Sequence, residues 1–478
     1  MQTTNYTTRG DGRTDAYPFP TVTAQSLGSE SFRQTYHTKY AYYAGAMASG
    51  ISSVEMVVKL GLAGYMGSFG SGGLSLDEVE RAIDEIQLSL PEGPYVINLL
   101  HSPDDESREE RLISLFLNRS VRAIEASAFV DVSPALIWYR LAGCVKTEDG
   151  VHSTNHVIAK VSRREVAEKF MSPPDPGIVA SLLAKGLISD DQATWSKDLP
   201  VADDITIEAD SGGHTDNGPL ISLLPMIIDI KDEIQTHHNY DQHLRVGAAG
   251  GIATAASAAA AFQMGADYVV TGSVNQSCVE AGTSDYVKDV LARVDIADVV
   301  MAPSADMFES GARVQVIKTG TMYPMNAQKL YDLYTRYSRL EDIPDTDMKS
   351  IEKRLFHCDV DTVWTYVTEY FTRVDPSRLQ KAETNTKLKM ALVFRWYLGN
   401  SSRWAIQGDL DRRMDMQIWC GKSMGAFNQW VRGTDLECPQ NRTVVAVADT
   451  IMTQAASVTM RNYLKLIGVN RGTENGHY

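Results

Sequence analysis

Apolar residues between positions 45 and 300 follow two patterns that alternate along the chain. Short apolar runs predict strands at Ala46–Ala48, Ala63–Met66, Tyr95–Leu100, Ala123–Ala128, Val157–Val161, Ile205–Ala209, Val246–Ala248 and Tyr268–Thr271. The segments between them carry apolar residues at helical spacing and predict helices at Ser53–Leu60, Ser75–Leu90, Ser107–Arg119, Pro134–Leu141, Arg163–Phe170, Pro219–Ile234 and Thr254–Met264. Strands that alternate with helices pair in parallel, and eight such units predict an α/β fold closed into a (β/α)8 TIM barrel.

Two insertions interrupt this alternation on either side of the fifth strand. Asp149-Gly150 lies between Val145 and Val151, which is typical of a β-hairpin turn. Residues 163–203 read as a long helical connection that Pro173-Pro174 breaks.

The pattern after residue 300 is helical, and the strand signal ends there. It predicts helices at Ala327–Leu340, Met348–His357, Val360–Thr372, Lys387–Leu398 and Val444–Ile467. We therefore expect a flexible leader at 1–26, a barrel at 27–302 and a helical subdomain at 303–478 that caps the barrel and shapes the substrate site. Whether the last helix packs on the barrel is left open.

Composition narrows the functional classes. The chain has 478 residues, 44% of them apolar and 22% charged, which is typical of a soluble globular protein. Its formal net charge of −15 argues against nucleic acid and against an anionic membrane as partners. Five widely spaced cysteines without a C-x-x-C pair favour a reducing compartment and predict no metal site. Because no signal peptide or credible membrane span is evident, we expect a cytoplasmic protein.

Glycines at the ends of the last two predicted barrel strands suggest a phosphate site. Gly250 and Gly251 follow the seventh strand, and Gly272-Ser273 follows the eighth. Barrels commonly bind phosphate between these two loops, where glycine lets backbone N–H groups approach. The alternative is that the glycines serve only tight turns. Because the chain lacks a G-x-G-x-x-G dinucleotide motif, a flavin mononucleotide suits the site better than a dinucleotide.

The sixth strand ends in a second Gly-Gly pair followed by a histidine. Gly213 would let the backbone approach a flat ring closely, and His214 would stand at the barrel mouth as a proton donor. A lone histidine is more often structural, but its position directly after Gly-Gly at a strand end favours the catalytic role.

Three other strand ends carry candidate cofactor ligands. Lys160, on the fifth strand, needs an anionic partner because an unpaired buried ammonium is costly. That partner is the edge of a reduced flavin, a carboxylate at Glu125 or Glu208, or both. Asn98 is either a hydrogen-bond partner of the ring or a capping residue. Met47 and Ala48 belong to a small-residue segment against which a ring could lie.

Several segments together resemble the PfaD family of enoyl reductases, which serve polyunsaturated fatty acid synthases and trans-acyltransferase polyketide synthases. Residues 210–214 (D-S-G-G-H) resemble the E-A-G-G-H segment of nitronate monooxygenases and flavin-dependent enoyl reductases. Further resemblance lies in Lys39–Ala48, Asn98–Pro103, Val121–Phe129, Ala159–Arg163, Glu208–Asn217, Met301–Glu309 and Phe394–Gly399. The resemblance covers about Ser26 to Gly468, with one departure, since Gly218 stands where the family pattern has arginine.

The resemblance implies a reaction and its partners. NADPH would reduce bound FMN, hydride would pass to the β-carbon of a trans-2-enoyl thioester on an acyl carrier protein, and His214 would protonate the α-carbon or orient the carbonyl. Lys160 would stabilise the reduced flavin. A nitronate monooxygenase-like flavoenzyme and a non-catalytic synthase component remain alternatives. The oligomeric state is open, with a homodimer as one alternative.

Docking of an acidic carrier onto an acidic enzyme requires a local basic patch. The candidates in the C-terminal half are Arg395, Arg403, Arg412 and Arg413. The alternative is that these arginines lie on an ordinary solvated helical face.

Overall fold

The computed structural model describes residues 21–102, 105–213 and 215–468, together with the backbone of two short strands at 6–8 and 14–16. These two strands pair antiparallel within the predicted leader, and a 3-10 turn follows at Ala24–Ser26. The other residues of the predicted leader before position 21 lie outside the described residues.

The strands are, in chain order, β1 Tyr6–Thr8, β2 Thr14–Ala16, β3 Tyr42–Ala44, β4 Met66–Phe69, β5 Val96–Leu100, β6 Ala123–Ser127, β7 Cys144–Thr147, β8 Gly150–Ser153, β9 His156–Val161, β10 Asp204–Glu208, β11 Arg245–Ala249, β12 Tyr268–Thr271, β13 Val299–Pro303 and β14 Arg313–Ile317. The helices are α1 Glu30–Tyr36, α2 Val54–Leu62, α3 Leu76–Ser89, α4 Glu106–Asn118, α5 Pro134–Ala142, α6 Arg164–Met171, α7 Pro176–Ala184, α8 Asp190–Trp195, α9 Leu220–His238, α10 Ala255–Gln263, α11 Ser273–Gln276, α12 Asp285–Leu291, α13 Tyr323–Arg336, α14 Asp345–Ile351, α15 Val360–Val374, α16 Pro376–Thr384, α17 Thr386–Gln407, α18 Ser423–Trp430 and α19 Val444–Leu466.

Eight parallel strands close into a barrel, which confirms the predicted fold class. The ring runs β3-β4-β5-β6-β9-β10-β11-β12 and returns to β3. Pairing of β12 with β3 closes it through Val269 opposite Tyr42 and Thr271 opposite Ala44. Helices alternate with these strands, so the carboxyl ends of all eight strands meet at one mouth.

The first two strands lie at other residues than predicted. β3 occupies Tyr42–Ala44 instead of Ala46–Ala48, because the aromatic pair Tyr42 and Tyr43 fills the strand and is fully buried. β4 begins at Met66, because α2 continues to Leu62 and a turn follows. Residues 46–48 therefore lie in a loop at the barrel mouth, where they line the site.

Both insertions around the fifth barrel strand are confirmed. β7 and β8 pair antiparallel, with Thr147 opposite Gly150. The connection after β9 consists of α6, α7 and α8, and Pro176 begins α7 shortly after the predicted break.

The expectation that strands end at residue 300 is wrong. β13 and β14 form an antiparallel pair, with Val300 opposite Val316 and Pro303 opposite Arg313. Proline at the end of β13 weakens the strand pattern, but a two-stranded ribbon tolerates it because only one edge is paired. The helices α16 and α18 were also not predicted.

The helix α19 packs on the barrel and belongs to its hydrophobic core, as α18 does. Its buried residues Val447, Ile451 and Ala455 pack in the same cluster as the barrel helices, whereas α13, α15 and α17 share a second cluster. Asp449 on α19 accepts hydrogen bonds from Tyr65 and from Lys39, whose Nζ lies 3.3 Å away. Among the described helices, none is both long and apolar enough to cross a membrane.

The amino-terminal ends of the strands carry two buried arginine–carboxylate pairs. The Arg140 guanidinium donates to both oxygens of Asp203 at 2.7 Å, and His156 Nδ1 lies 3.2 Å from the same carboxylate. Burial opposes ionisation of Asp203, but Arg140 and His156 outweigh it and hold its pKa well below the usual range. Arg245 binds Asp204 in the same bidentate way.

Candidate active site

A cavity of about 970 Å³ opens above the carboxyl ends of the barrel strands. Its lower wall consists of the loops after β3, β6, β10, β11 and β12, and its upper wall consists of α15 and α17. The cavity therefore lies at the barrel mouth, where this fold holds its chemistry. Its lining includes eight of the residues that the sequence suggested for cofactor binding: Met47, Ala48, Lys160, Gly213, Gly250, Gly251, Gly272 and Ser273.

The glycines after β11 and β12 form an open cradle. Gly250 and Gly251 both have left-handed backbone, with φ of 81° and 77°. A side chain at Gly250 would meet the Ala209 backbone at 2.7 Å, so this glycine lets two loops approach closely. A Cβ at Gly251 or Gly272 would meet nothing within 4 Å. Open space beside glycine backbone in the cavity wall fits a phosphate group.

A segment from the C-terminal half closes one side of this cradle. The Gly421 N–H donates to the Ser273 hydroxyl at 2.9 Å. Gly421 also approaches Gly212, because a Cβ on Gly212 would lie 3.2 Å from the Gly421 nitrogen. The Ser273 hydroxyl is therefore already engaged as an acceptor, a contact that the local sequence did not signal.

Lys160 lies between two carboxylates at the floor of the cavity. Its Nζ is 3.3 Å from Glu208 Oε1 and 3.6 Å from Glu125 Oε1, and its side chain is 12% exposed. Burial alone would lower the pKa of Lys160, but the Glu208 and Glu125 carboxylates raise it above the usual range. Lys160 therefore stays charged, and the carboxylate pairing considered from the sequence is present.

Asn98 does not line the cavity. Its Nδ2 donates to the Glu125 carbonyl oxygen at 3.0 Å and to the Ser127 hydroxyl at 2.9 Å. The side chain thus ties β5 to β6, and its contact with a ring stays a prediction.

His214 lies outside the described residues, and hydrogen bonds are made by the described residues on either side of it. The Thr215 hydroxyl donates to the Glu208 carbonyl oxygen at 2.7 Å, and Ser211 donates to Glu208 Oε1 at 3.1 Å. Asp210 accepts from Gln315 on β14, and Lys422 Nζ lies 3.4 Å from it. The C-terminal half therefore braces the loop on which the predicted proton donor lies.

The other mouth histidine, His101, is already partnered. Its Nδ1 lies 2.7 Å from Glu109 Oε1, and its ring stacks on Phe129 with centroids 4.5 Å apart. Burial acts to raise the pKa of Glu109, but hydrogen bonds from His101 and from the Ser102 N–H outweigh it and lower that pKa.

Gly218, which departs from the family pattern, packs closely against Leu223. The Gly218 carbonyl accepts from the Asp210 N–H at 3.1 Å, and a Cβ on Gly218 would lie 2.7 Å from Leu223 Cδ1. A larger residue would need Leu223 to move, so glycine fits the local packing.

Two residues of the cavity wall have strained backbone that the sequence did not reveal. Ser49 and Ala128 have φ of 58° and 62° and both line the cavity. Left-handed backbone costs a non-glycine residue about 1–2 kcal/mol. Such strain is typical of functional sites.

The upper wall carries an apolar surface, and the sequence predicted this wall only as a helical subdomain, without naming its residues. Val367 and Phe371 come from α15, Leu392 and Trp396 come from α17, and Trp419 follows from the loop after it. Trp396 lies in the segment 394–399 that resembles the family, but no local pattern shows that these residues meet, because they come together only through packing of distant helices.

The four arginines predicted as one basic patch do not form it. Arg412 is 8% exposed, lies 3.8 Å from the centre of the Trp404 ring and donates to the Leu355 carbonyl oxygen. Arg395 pairs with Glu309 at 3.0 Å inside the cavity wall. Arg403 and Arg413 are exposed, and Arg403 lines the cavity.

No metal site is evident among the described residues. Within the described residues, no group of three or more His, Cys, Asp or Glu side chains could hold an ion.

Two family models match the chain in succession. The nitronate monooxygenase model matches residues 30–330, and the model of the inserted helical domain of [acyl-carrier-protein] S-malonyltransferase matches residues 337–416.

Curated relatives come from polyketide and polyunsaturated fatty acid synthesis. The polyketide biosynthesis protein PksE of Bacillus subtilis (strain 168) is 45% identical over 456 residues, which is 95% of this chain and 59% of that protein. A component of the polyunsaturated fatty acid synthase of Thraustochytrium sp. is 45% identical over 420 residues, covering 87% of this chain and 28% of that protein. The chain therefore spans less than two thirds of the length of each relative.

A solved enoyl reductase domain matches along nearly its whole length. The domain belongs to MlnA from the macrolactin biosynthesis cluster of Bacillus amyloliquefaciens. It is 42% identical, with a TM-score of 0.89 over 92% of this chain and 99% of that domain. FabK of Thermotoga maritima, at 17% identity and a TM-score of 0.52 over 92% of this chain and 99% of that one, shares the fold.

Proposed function

We propose, from the premise that this chain belongs to the nitronate monooxygenase family and to its PfaD-type branch, that it is the enoyl reductase of a polyunsaturated fatty acid or polyketide synthase. The observation that carries the proposal is the likeness to the MlnA enoyl reductase domain, which extends over 99% of that domain and includes both barrel and helical parts. The cavity between these two parts is where substrate and cofactor would meet.

FMN is the cofactor that the site fits best. The open cradle at Gly251 and Gly272 would take its single phosphate, and Lys160 would face the ring edge that becomes anionic on reduction. When bound, FMN would relay hydride from NADPH to the β-carbon of the enoyl thioester. The protein's own task is to hold these groups in position, exclude water and supply a proton.

The proton would come from His214, on the loop after β10. Hydrogen bonds from Thr215 and Ser211 to Glu208 fix this loop beside the Lys160 ion pairs. Protonation at carbon requires the acid to stand at one face of the substrate.

The acyl chain would lie against the apolar upper wall. Leu392 is buried and Phe371 and Trp396 are half-buried, and together they would give the chain an apolar surface. Burying apolar substrate area there contributes about 25 cal/mol per Å².

A carrier protein is the proposed source of the thioester. The matched helical segment at 337–416 is similar to the inserted domain of an enzyme that acts on acyl carrier protein, and the relatives are synthase components. We therefore expect an enoyl group attached to a carrier rather than a free acid.

Two measurements test this function. Denaturing the purified protein should release FMN, identified by chromatography against FAD. Under anaerobic conditions, crotonyl pantetheine should oxidise NADPH in the presence of the enzyme and give butyryl pantetheine by mass spectrometry. FAD in the supernatant would remove the cofactor assignment, and an enzyme that holds FMN but forms no saturated thioester would remove the enoyl reductase assignment.

Nitronate oxidation is the second candidate, because the barrel matches the nitronate monooxygenase model over residues 30–330. It predicts oxygen consumption with propyl-2-nitronate and no requirement for NADPH. The apolar wall from α15 and α17 favours the thioester over so small a substrate.

A further inference from the structure

An exposed apolar stripe runs along α15 at the mouth of the cavity. Tyr366, Tyr370 and Val374 are spaced four residues apart and are 46%, 45% and 55% exposed. Residues at this spacing lie on one side of a helix. All three also line the cavity, so the stripe continues from the outer surface into the site. A contiguous exposed apolar patch of this kind indicates a binding surface.

The aromatic rings of the stripe are held in place from below. Tyr366 stacks on Trp396 with ring centroids 5.8 Å apart, and Tyr370 packs edge-on against Phe371 at 5.0 Å. Prepacked tyrosines lose little conformational entropy when a partner covers them, so they suit protein recognition.

The charges beside the stripe favour contact with an acidic surface at short range. Arg373 is exposed, lines the cavity and makes no hydrogen bond or ion pair within the described part of the chain. Arg403 on α17 is a second exposed cation that lines the cavity. Among the described residues of α15, Glu369 is the one exposed acid that lines the cavity. Because the whole chain carries −15, an acidic partner gains nothing from the distant field and needs these local contacts.

We propose that the Tyr366–Tyr370–Val374 stripe with Arg373 is the surface on which the folded body of the carrier protein docks. This inference rests on the proposed function, in which a carrier delivers the enoyl group. A partner seated on the stripe places its prosthetic arm directly at the cavity opening, because the same residues form both the surface and the rim. The stripe thus replaces the arginine patch that the sequence suggested.

The test compares one acyl group on two supports. KM and kcat are measured for crotonyl acyl carrier protein and for crotonyl pantetheine with the parent, Tyr370→Asp and Arg373→Glu. The controls are Tyr463→Asp, which changes a tyrosine that is 46% exposed on α19, and Arg461→Glu on the same helix. Binding of unloaded carrier to each enzyme is measured by calorimetry, and the mass of each enzyme by light scattering.

We expect the ratio of the two KM values, carrier over pantetheine, to rise at least about 10-fold in both stripe variants, which is typical of hot-spot residues. Both controls should keep the parent ratio, and Arg373→Glu should also reduce the salt dependence of carrier binding. Equal KM shifts on both supports, or a parent that binds carrier no better than pantetheine, would overturn the docking surface.

Other outcomes separate the two proposals. A dimeric parent that Tyr370→Asp converts to a monomer would assign the stripe to a second copy of this chain instead. A parent that binds carrier through the stripe but reduces neither thioester would contradict the proposed function while supporting the surface.

Discussion

Single residues at the barrel mouth differ in role even where their backbone is alike. Gly250 and Gly251 share left-handed φ values, yet a side chain at Gly250 would collide with Ala209, whereas a side chain at Gly251 would enter open cavity. Gly250 is therefore needed for loop packing, whereas Gly251 leaves open space in the cavity.

This difference predicts the effect of a charge at Gly251. Gly251→Asp should fold, because the Cβ meets nothing within 4 Å and the backbone strain costs only about 1–2 kcal/mol. It should lose most of its FMN, because a carboxylate would repel the phosphate. FMN content per purified chain measures the loss. Gly251→Asn has the same shape without the charge, and if it loses as much FMN, then space rather than charge decides binding.

A substitution of His214 tests the two steps of the proposed reaction separately. A general acid typically contributes about 10²–10⁴-fold, so His214→Ala should slow the oxidation of the NADPH-reduced enzyme by crotonyl thioester at least about 10²-fold. The reduction of the enzyme by NADPH should stay near the parent rate, because that step needs no proton from this side chain. Stopped-flow absorbance follows both steps.

The control for that experiment is His101→Gln, which removes the ring that contacts Glu109. If the His101 variant slows and the His214 variant does not, His101 is the donor. If His214→Ala slows both steps equally, His214 positions the reactants instead of protonating the product.

At the scale of elements, the two ends of the barrel strands differ: one end carries buried ion pairs, and the other end forms the cavity. The amino-terminal ends hold Asp203 and Asp204 in buried pairs with Arg140 and Arg245. The carboxyl-terminal ends hold the glycine loops and Lys160 at the cavity. Changes at the first end should therefore alter the stability and leave the bound cofactor in place.

The Asp203 pair predicts a defined pH dependence. Removing one partner of a buried pair costs about 3–5 kcal/mol, so Asp203→Asn should lower the free energy of unfolding by that amount at pH 7. The folded-state pKa of Asp203 is depressed, so its contribution is present above the unfolded pKa of about 3.9 and is lost as pH falls through the folded pKa. The difference between parent and variant should therefore shrink below about pH 4. Urea titrations at a series of pH values measure it.

Asp191→Asn is the matched control, because Asp191 is exposed in the first turn of α8. It should change the free energy of unfolding by less than about 0.5 kcal/mol. A constant difference for Asp203→Asn across the acid range would show that its carboxylate does not carry the pairing energy.

For the whole molecule, α19 joins the end of the described chain to its beginning. Its apolar face lies in the barrel core, and its Asp449 binds Tyr65 and Lys39 near the first barrel strands. The part of the chain between residues 303 and 443 therefore lies, in sequence, between the barrel and a helix that packs on the barrel. The domain boundary at 302 and 303 stays a prediction, because Ala302 packs in the second hydrophobic core, whereas Met416 and Phe427 pack with α19 in the first.

This arrangement predicts that a charge on the buried face of α19 destabilises the barrel. Ala455 is fully buried, and an unpaired carboxylate there is costly, so Ala455→Glu should lower Tm by several degrees and release bound FMN. Gln454→Glu places the same side chain on the exposed face next to it and should keep the parent Tm. Thermal unfolding followed by circular dichroism and by flavin fluorescence tests both, and an unchanged Tm in Ala455→Glu would contradict the shared core.

The sequence by itself determined the barrel and most of its mouth. Hydrophobic periodicity and turn residues are local, so strands such as β12 and helices such as α5 lie close to where the pattern placed them. Because parallel closure puts every strand end at one mouth, Lys160, Gly251 and Gly272 could be grouped from the strand order alone.

Only the tertiary structure decided what meets across that mouth. Several contacts there join residues far apart in the chain. They are the pairing of Lys160 with two carboxylates, the contact of Gly421 with Ser273, the burial of Arg412 and the upper wall from α15 and α17. The periodicity of one segment carries no information about which distant segment packs on it, because many apolar faces are interchangeable until the whole core is assembled. The same reason explains why the sequence could group residues of the cavity floor, while the exposed stripe on α15 was recognisable only once the helices were packed.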